Sequence, residues 1–139
     1  MATPKPEERE ILLAAALVAA ENAVAPYSKL NIGVALQTGS GEVITGANVE
    51  SASYGLTCCA ERIALFKALT EGHRDFTAMA LVSPTDPVFK PCGACRQLLA
   101  EYAPEATLWC RSSLNPNSPI EEYRVADLLP LALISLPTE

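Results

Sequence analysis

Cys59, Cys92 and Cys95 each fall where the sequence predicts a helix to begin. Cys59-Ala60-Glu61-Arg62 opens one helix, which runs to Leu69, and Pro91-Cys92-Gly93-Ala94-Cys95-Arg96-Gln97 opens another, which runs to Tyr102. Cys92 and Cys95 are three positions apart, so both thiols lie on one side of a first turn and can share one ion. A helix N-terminus carries unpaired N–H groups and the positive end of the dipole. Both favour thiolate, the form of cysteine that binds metal. Cys59, from the other helix, supplies a third sulfur. A fold that uses this set must bring the two helix starts together.

Three protein ligands leave one position of a tetrahedral ion open, which is the pattern of a catalytic zinc. Water in that position becomes acidic enough to be hydroxide near neutral pH. A closed structural site needs a fourth ligand. Cys58 adjoins Cys59 and points elsewhere on a helix, Cys58 and Cys110 read as buried small hydrophobes, and His73 reads as a solvated turn residue after the helix-ending Gly72. A Cys92–Cys95 redox pair would not require Cys59 and Glu61. Glu61 is two residues past Cys59, so its carboxylate can sit beside the open position without being a ligand. There it could take a proton from water and pass it to a substrate nitrogen, a service worth about 10²–10⁴-fold. Three thiolates and one Zn²⁺ sum to −1. Arg62 and Arg96 are placed to offset that charge by hydrogen bonding to sulfur, and Arg62 is favoured.

The chain has 139 residues, one domain's worth, and half of them are hydrophobic, enough for a core. The formal charge of −6 argues against a protein that lives on phosphate contacts, so no nucleic-acid partner is expected. The longest apolar run, Ile11 to Ala20, is too short for a bilayer, and its acidic flank is unlike a signal peptide. No membrane partner is expected, and the predicted compartment is the cytoplasm.

Residues 1–6 hold two prolines and read as a loose end. A helix follows from Glu7, with Ile11, Leu12, Ala15, Ala16 and Ala19 on its inner face, and ends before Pro26. Ile32, Val34 and Leu36 alternate with smaller residues, turn at Thr38-Gly39-Ser40-Gly41, and resume at Val43–Gly46 as a hairpin. The Cys59 helix turns Ile63, Phe66 and Leu69 inward and stops at Gly72. Phe76–Val82 and Ala106–Cys110 are strands, Ile120–Arg124 a last strand and Val125–Leu129 a short helix. Tyr27, Phe66 and Trp109 read as core. This order predicts an α/β fold, a mixed sheet with helices on its faces.

The stretch Asn48-Val49-Glu50-Ser51-Ala52-Ser53-Tyr54-Gly55-Leu56-Thr57-Cys58-Cys59-Ala60-Glu61-Arg62, followed by Pro91 to Gln97, resembles the small homotetrameric cytidine deaminases. Ala25-Pro26-Tyr27-Ser28-Lys29 and the hairpin extend the resemblance over most of the chain. The three-cysteine form of this zinc signature is a known variant. The resemblance implies a three-layer α-β-α sandwich with a five-stranded mixed sheet, residues 1–139 forming one domain. It implies hydrolysis of cytidine and 2′-deoxycytidine to the uridines in pyrimidine salvage. Cys59, Cys92 and Cys95 would hold one Zn²⁺ per subunit. Glu61 would carry protons to ring nitrogen N3 and the leaving ammonia while zinc-held hydroxide attacks C4.

By the same resemblance, Asn48 and Glu50 would grip the ribose, and the backbone of Ala60 would meet the pyrimidine. Ala52 and Tyr54 would reach a neighbouring subunit's site. The chain departs from the family at Leu30, where Phe is frequent, at Asn31 (Pro) and at Ser51 (Asn). Its C-terminal Leu128 to Leu133 also lacks an aromatic residue, which bears on substrate range. A larger aminopyrimidine nucleoside of the blasticidin type, a nucleic-acid base and a zinc-stabilised interaction module are the competing readings.

Overall fold

A computed structural model describes residues 4–136. Helix α1 spans Pro6–Ala20. Proline suits a first helical position because its missing N–H has no partner to lose there, and the Lys5 N–H donates to the Glu8 carboxylate at 2.9 Å. The expected loose end therefore stops short of Pro6, and its residues 1–3 lie outside the described residues. Strands β1 (Gly33–Thr38) and β2 (Val43–Ala47) form the hairpin. Gly41 supplies a φ of +95° at its turn, a conformation that costs glycine nothing.

Helix α2 covers Ala60–Thr70, β3 Phe76–Ser83, α3 Gly93–Tyr102, β4 Thr107–Ser112 and β5 Glu121–Arg124. Single 3₁₀ turns lie at Tyr54–Leu56 and Val125–Leu128. α2 ends where Gly72, at φ +100°, takes the left-handed position, with the His73 N–H reaching back to the Ala68 carbonyl.

The sheet order is β2-β1-β3-β4-β5. Among the described strands β3 and β4 are the parallel pair, and α3 makes the crossover between them, as a parallel connection requires. Alternation assigns the faces. Val34 and Leu36 join Met79, Leu81, Leu108 and Cys110 in a core under α2 and α3, whereas Ala35, Ala78, Ala80 and Trp109 face α1. The result is a five-stranded mixed sheet between two helical layers.

Both neighbouring helices come unusually close to the hairpin. A Cβ on Gly33 would lie 1.9 Å from the Ala16 carbonyl oxygen of α1, and a Cβ on Gly46 would lie 2.6 Å from the Ala64 nitrogen of α2. Alanine and glycine, not large side chains, therefore make these contacts, and this rotates the buried faces from those the periodicity predicts. On α1 the buried set is Leu12, Leu13, Ala16, Ala19 and Ala20, with Ile11 exposed and Ala15 only half-buried. On α2 it is Ala60, Glu61, Ala64, Leu65 and Ala68. Ile63 and Leu69 are half-buried and Phe66 is exposed. Tyr27 is exposed too, while Trp109 is core as expected.

Candidate active site

The segment Asn48 to Glu50 is clamped on both sides. Val24 N–H donates to the Asn48 carbonyl, and Glu50 N–H donates to the Val24 carbonyl. Val49 and Cys58 exchange both backbone hydrogen bonds, at 3.0 and 2.8 Å. This ties Asn48 and Glu50 to the residue just before Cys59. Close packing at Gly46 fixes α2 over the same end of the hairpin, and the β3–α3 connection carries Cys92 to it.

Cys59 is the N-cap of α2, and Cys92 is the N-cap of α3. The Sγ atoms of Cys59, Cys92 and Cys95 all lie within 4.8 Å of one another. Sulfurs on one tetrahedral zinc sit roughly 3.8 Å apart, so side-chain adjustments of about an ångström close this trio on an ion. The thiols already share charge. The neighbouring Cys95 thiol and Arg62 lower Cys59 to about 5, against the opposing effect of burial. The Cys59 sulfur and burial push Cys95 up. Arg62 Nη2 lies 3.6 Å from Cys59 Sγ, and Arg62 Nε is buried with no partner among the described residues. A guanidinium left short of partners beside soft sulfur donors fits a zinc–thiolate group that carries net negative charge. Arg96 turns away, donating to the carbonyls of Pro91 and Leu128 at 2.8 and 3.2 Å.

A cavity of about 370 Å³ opens beside the sulfurs, in the range of small-molecule sites. Cys59, Cys92, Ala60, Glu61, Asn48 and Glu50 all line it. Glu61 is only 5% exposed. Burial, with help from the Cys59 charge, pushes its carboxyl up to about 7, and its own N–H restrains the rise. A carboxyl in that range both accepts and releases a proton near neutrality. The first helical hydrogen bonds of α2 come from Arg62 and Ile63, both to the Cys59 carbonyl. The N–H of Ala60 precedes them and is left to a ligand or water, while that of Glu61 turns to its own carboxylate.

Glu50 accepts from the N–H groups of Tyr27 and Ser28, each at 3.0 Å, and from the Ser28 hydroxyl. A carboxylate offers about four lone-pair sites, so one remains for an incoming hydroxyl. Asn48 accepts from Ile32 N–H and donates to the Leu30 carbonyl, each at 2.9 Å, which leaves one amide hydrogen and one lone pair unused.

Ala52 and Tyr54 are not among the lining residues. Tyr54 is 83% exposed and borders a second hollow with Tyr27, Ser28, Glu50, Ser51 and Thr57. Cys110 is buried as expected, but Cys58 is half-buried and lines the cavity. His73 lies away from the cluster, half-buried, with Nε2 2.9 Å from a Glu42 carboxylate oxygen. Sequence reasoning passed over Ser28, Phe89 and Lys90. Ser28 could have been found by pairing the Tyr27-Ser28-Lys29 stretch with Glu50, because a clamped carboxylate needs donors. Nothing local marks Phe89 or Lys90.

A sheet flanked by helices, with a three-sulfur cradle at two helix starts and a buried carboxyl beside it, defines a zinc-dependent hydrolase. The sequence family described as the cytidine and deoxycytidylate deaminase zinc-binding region matches residues 6–110, and the chain belongs to that family. It is 49% identical over 123 residues to a cytidine deaminase of Halalkalibacterium halodurans, covering 88% of this chain and 92% of that one. It is 43% identical over 126 residues to a cytidine deaminase of Sporosarcina psychrophila, covering 87% and 88%. The crystal structure of a cytidine deaminase from Burkholderia pseudomallei superposes with a TM-score of 0.84 at 43% identity, covering 89% of this chain and 98% of that chain.

Proposed function

We propose that the chain hydrolyses cytidine and 2′-deoxycytidine to uridine and 2′-deoxyuridine, releasing ammonia. The observation that carries this reading is the placement of Glu61, a carboxyl only 5% exposed, on the wall of the cavity that Cys59 and Cys92 of the three-cysteine cluster also line. Cys59, Cys92 and Cys95 would hold a zinc ion, which would supply an acidified water as the nucleophile. Glu50 and Asn48 offer their unused hydrogen-bonding positions to the sugar, and a free base would leave Glu50 without that partner. The backbone at Ala60 meets the pyrimidine ring. Glu61 takes a proton from the attacking water and delivers it to N3. As the C4–N bond breaks, Glu61 carries a second proton to the amine, which leaves as ammonia, and C4 becomes a carbonyl. Arg62 holds Cys59 in its charged form.

We read residues 1–139 as one deaminase-like domain acting in the cytoplasm on small nucleosides in pyrimidine salvage. The assembly proposed is a homotetramer with Ala52 and Tyr54 reaching a neighbour's site. The exposed apolar side chains of Tyr54, Leu56 and Val18 support this, since subunits cover such residues. No helix among the described residues is long and apolar enough to cross a membrane.

The test is to mix the purified zinc-loaded chain with cytidine and follow ammonia and uridine. Equimolar appearance of both is expected. A lack of turnover of cytidine and deoxycytidine, with rapid turnover of a blasticidin-type nucleoside, would overturn the substrate assignment.

A further inference from the structure

The connection between β3 and α3 delivers an aromatic ring that the chemistry above does not use. Ser83, at the end of β3, is fully buried, and its hydroxyl accepts the Phe89 N–H at 3.0 Å. Val88 is 5% exposed. Lys90 Nζ donates to the Val88 carbonyl at 3.3 Å and pairs with Glu121 at 3.2 Å. Both neighbours of Phe89 are therefore held in place, while Phe89 itself stays 42% exposed and lines the cavity with Glu61 and Cys92. A phenyl side chain on a tethered segment gains little for the fold by standing open to solvent.

The other apolar lining residues, Leu30, Ile32, Ala60 and Leu81, are all aliphatic, so Phe89 is the one aromatic ring on the wall among the described residues. Lys90 lines the same cavity, but its charge is already paired with Glu121. A flat heteroaromatic ligand entering here meets one partner suited to offset or edge-to-face packing.

We propose that Phe89 is a specificity-determining residue whose ring packs against the pyrimidine of the substrate. This rests on the cytidine reading above. Phe89 reaches no reacting atom, so it binds the ground state and the transition state alike. Its loss raises KM and leaves kcat nearly unchanged. A leucine or methionine in its place keeps an apolar wall but forfeits the aromatic pairing, which is worth about threefold to tenfold in affinity.

The experiment compares zinc-loaded wild type, F89L, F89M and F89Y by steady-state kinetics on cytidine, by inhibition with uridine and by zinc content per chain. The expected result is zinc unchanged in all four. KM for cytidine and the inhibition constant for uridine should rise about threefold to tenfold in F89L and F89M, with kcat within about twofold, and both constants should return to near wild type in F89Y. An unchanged KM in F89L and F89M overturns the proposal, as does a fall in kcat matched by loss of zinc, which would mark Phe89 as structural. A wild type that turns over no cytidine overturns the functional reading itself, a result distinct from equal kinetics in active wild type and variants.

Discussion

Arg62 reaches back one helical turn to Cys59, with Nη2 3.6 Å from the sulfur and 3.3 Å from the Thr57 carbonyl oxygen. It thus joins a metal-binding thiolate to the loop just ahead of it. A cation that hydrogen-bonds a ligating sulfur drains charge from it and fixes its direction. R62Q is expected to weaken zinc binding by about 10–100-fold. Competition with a chromophoric chelator measures this, and unaltered affinity would contradict the assignment.

Replacing Glu61 separates chemistry from metal binding. E61Q keeps the size of the side chain and removes its proton traffic. Ammonia release should fall by about 10²–10⁴-fold, with one zinc per chain retained. Metal analysis beside the activity assay checks both halves, and an active E61Q would remove the proton carrier from the account.

Gly46 and Gly33 should behave differently when changed to alanine. A Cβ at Gly46 meets α2 backbone, 2.7 Å from the Ala60 carbonyl oxygen, and so pushes on the turn that holds Cys59. A Cβ at Gly33 meets α1, far from the sulfurs in sequence and on the opposite layer. Each substitution is expected to cost about 1–3 kcal/mol of stability, but only G46A should also lose zinc affinity. Thermal melts and metal titrations of the two variants decide it.

Glu50 sets a dependence on acid. The Ser28 hydroxyl and N–H, with the Tyr27 N–H, hold its carboxyl below the ordinary value of 4.5, against a smaller opposing effect of burial. A lowered folded-state value means the charged form steadies the Tyr27–Ser28 segment above the unfolded value. That contribution is lost as pH falls through the folded one. Amide protection at Tyr27 and Ser28 is expected to be steady near neutrality and to drop only once the pH has fallen below the ordinary carboxylate range. In E50Q the profile should be flat. A flat wild-type profile would contradict the clamp.

The zinc cradle was legible because its logic is local: two helix starts, a three-residue cysteine spacing and one offset carboxylate. The sheet was legible from the alternation at Val34 and Leu36 and from the short apolar runs at Phe76 and Thr107. The helix faces were harder to read. α1 is apolar almost all round, and both α1 and α2 pack through alanines against Gly33 and Gly46. Large residues such as Ile11 and Phe66 are therefore turned outward, against the usual rule that size marks the core. Phe89 and Lys90 were invisible for another reason. Their place at the cavity depends on Ser83 and Glu121, partners that no periodicity connects to them.

The central claim is that three sulfurs hold zinc and leave its fourth position to water. X-ray absorption at the zinc edge of the resting, zinc-loaded protein tests it directly. The account predicts three sulfur neighbours at about 2.3 Å and one oxygen near about 2.0 Å. Four sulfur neighbours, or a nitrogen ligand from His73, would contradict it.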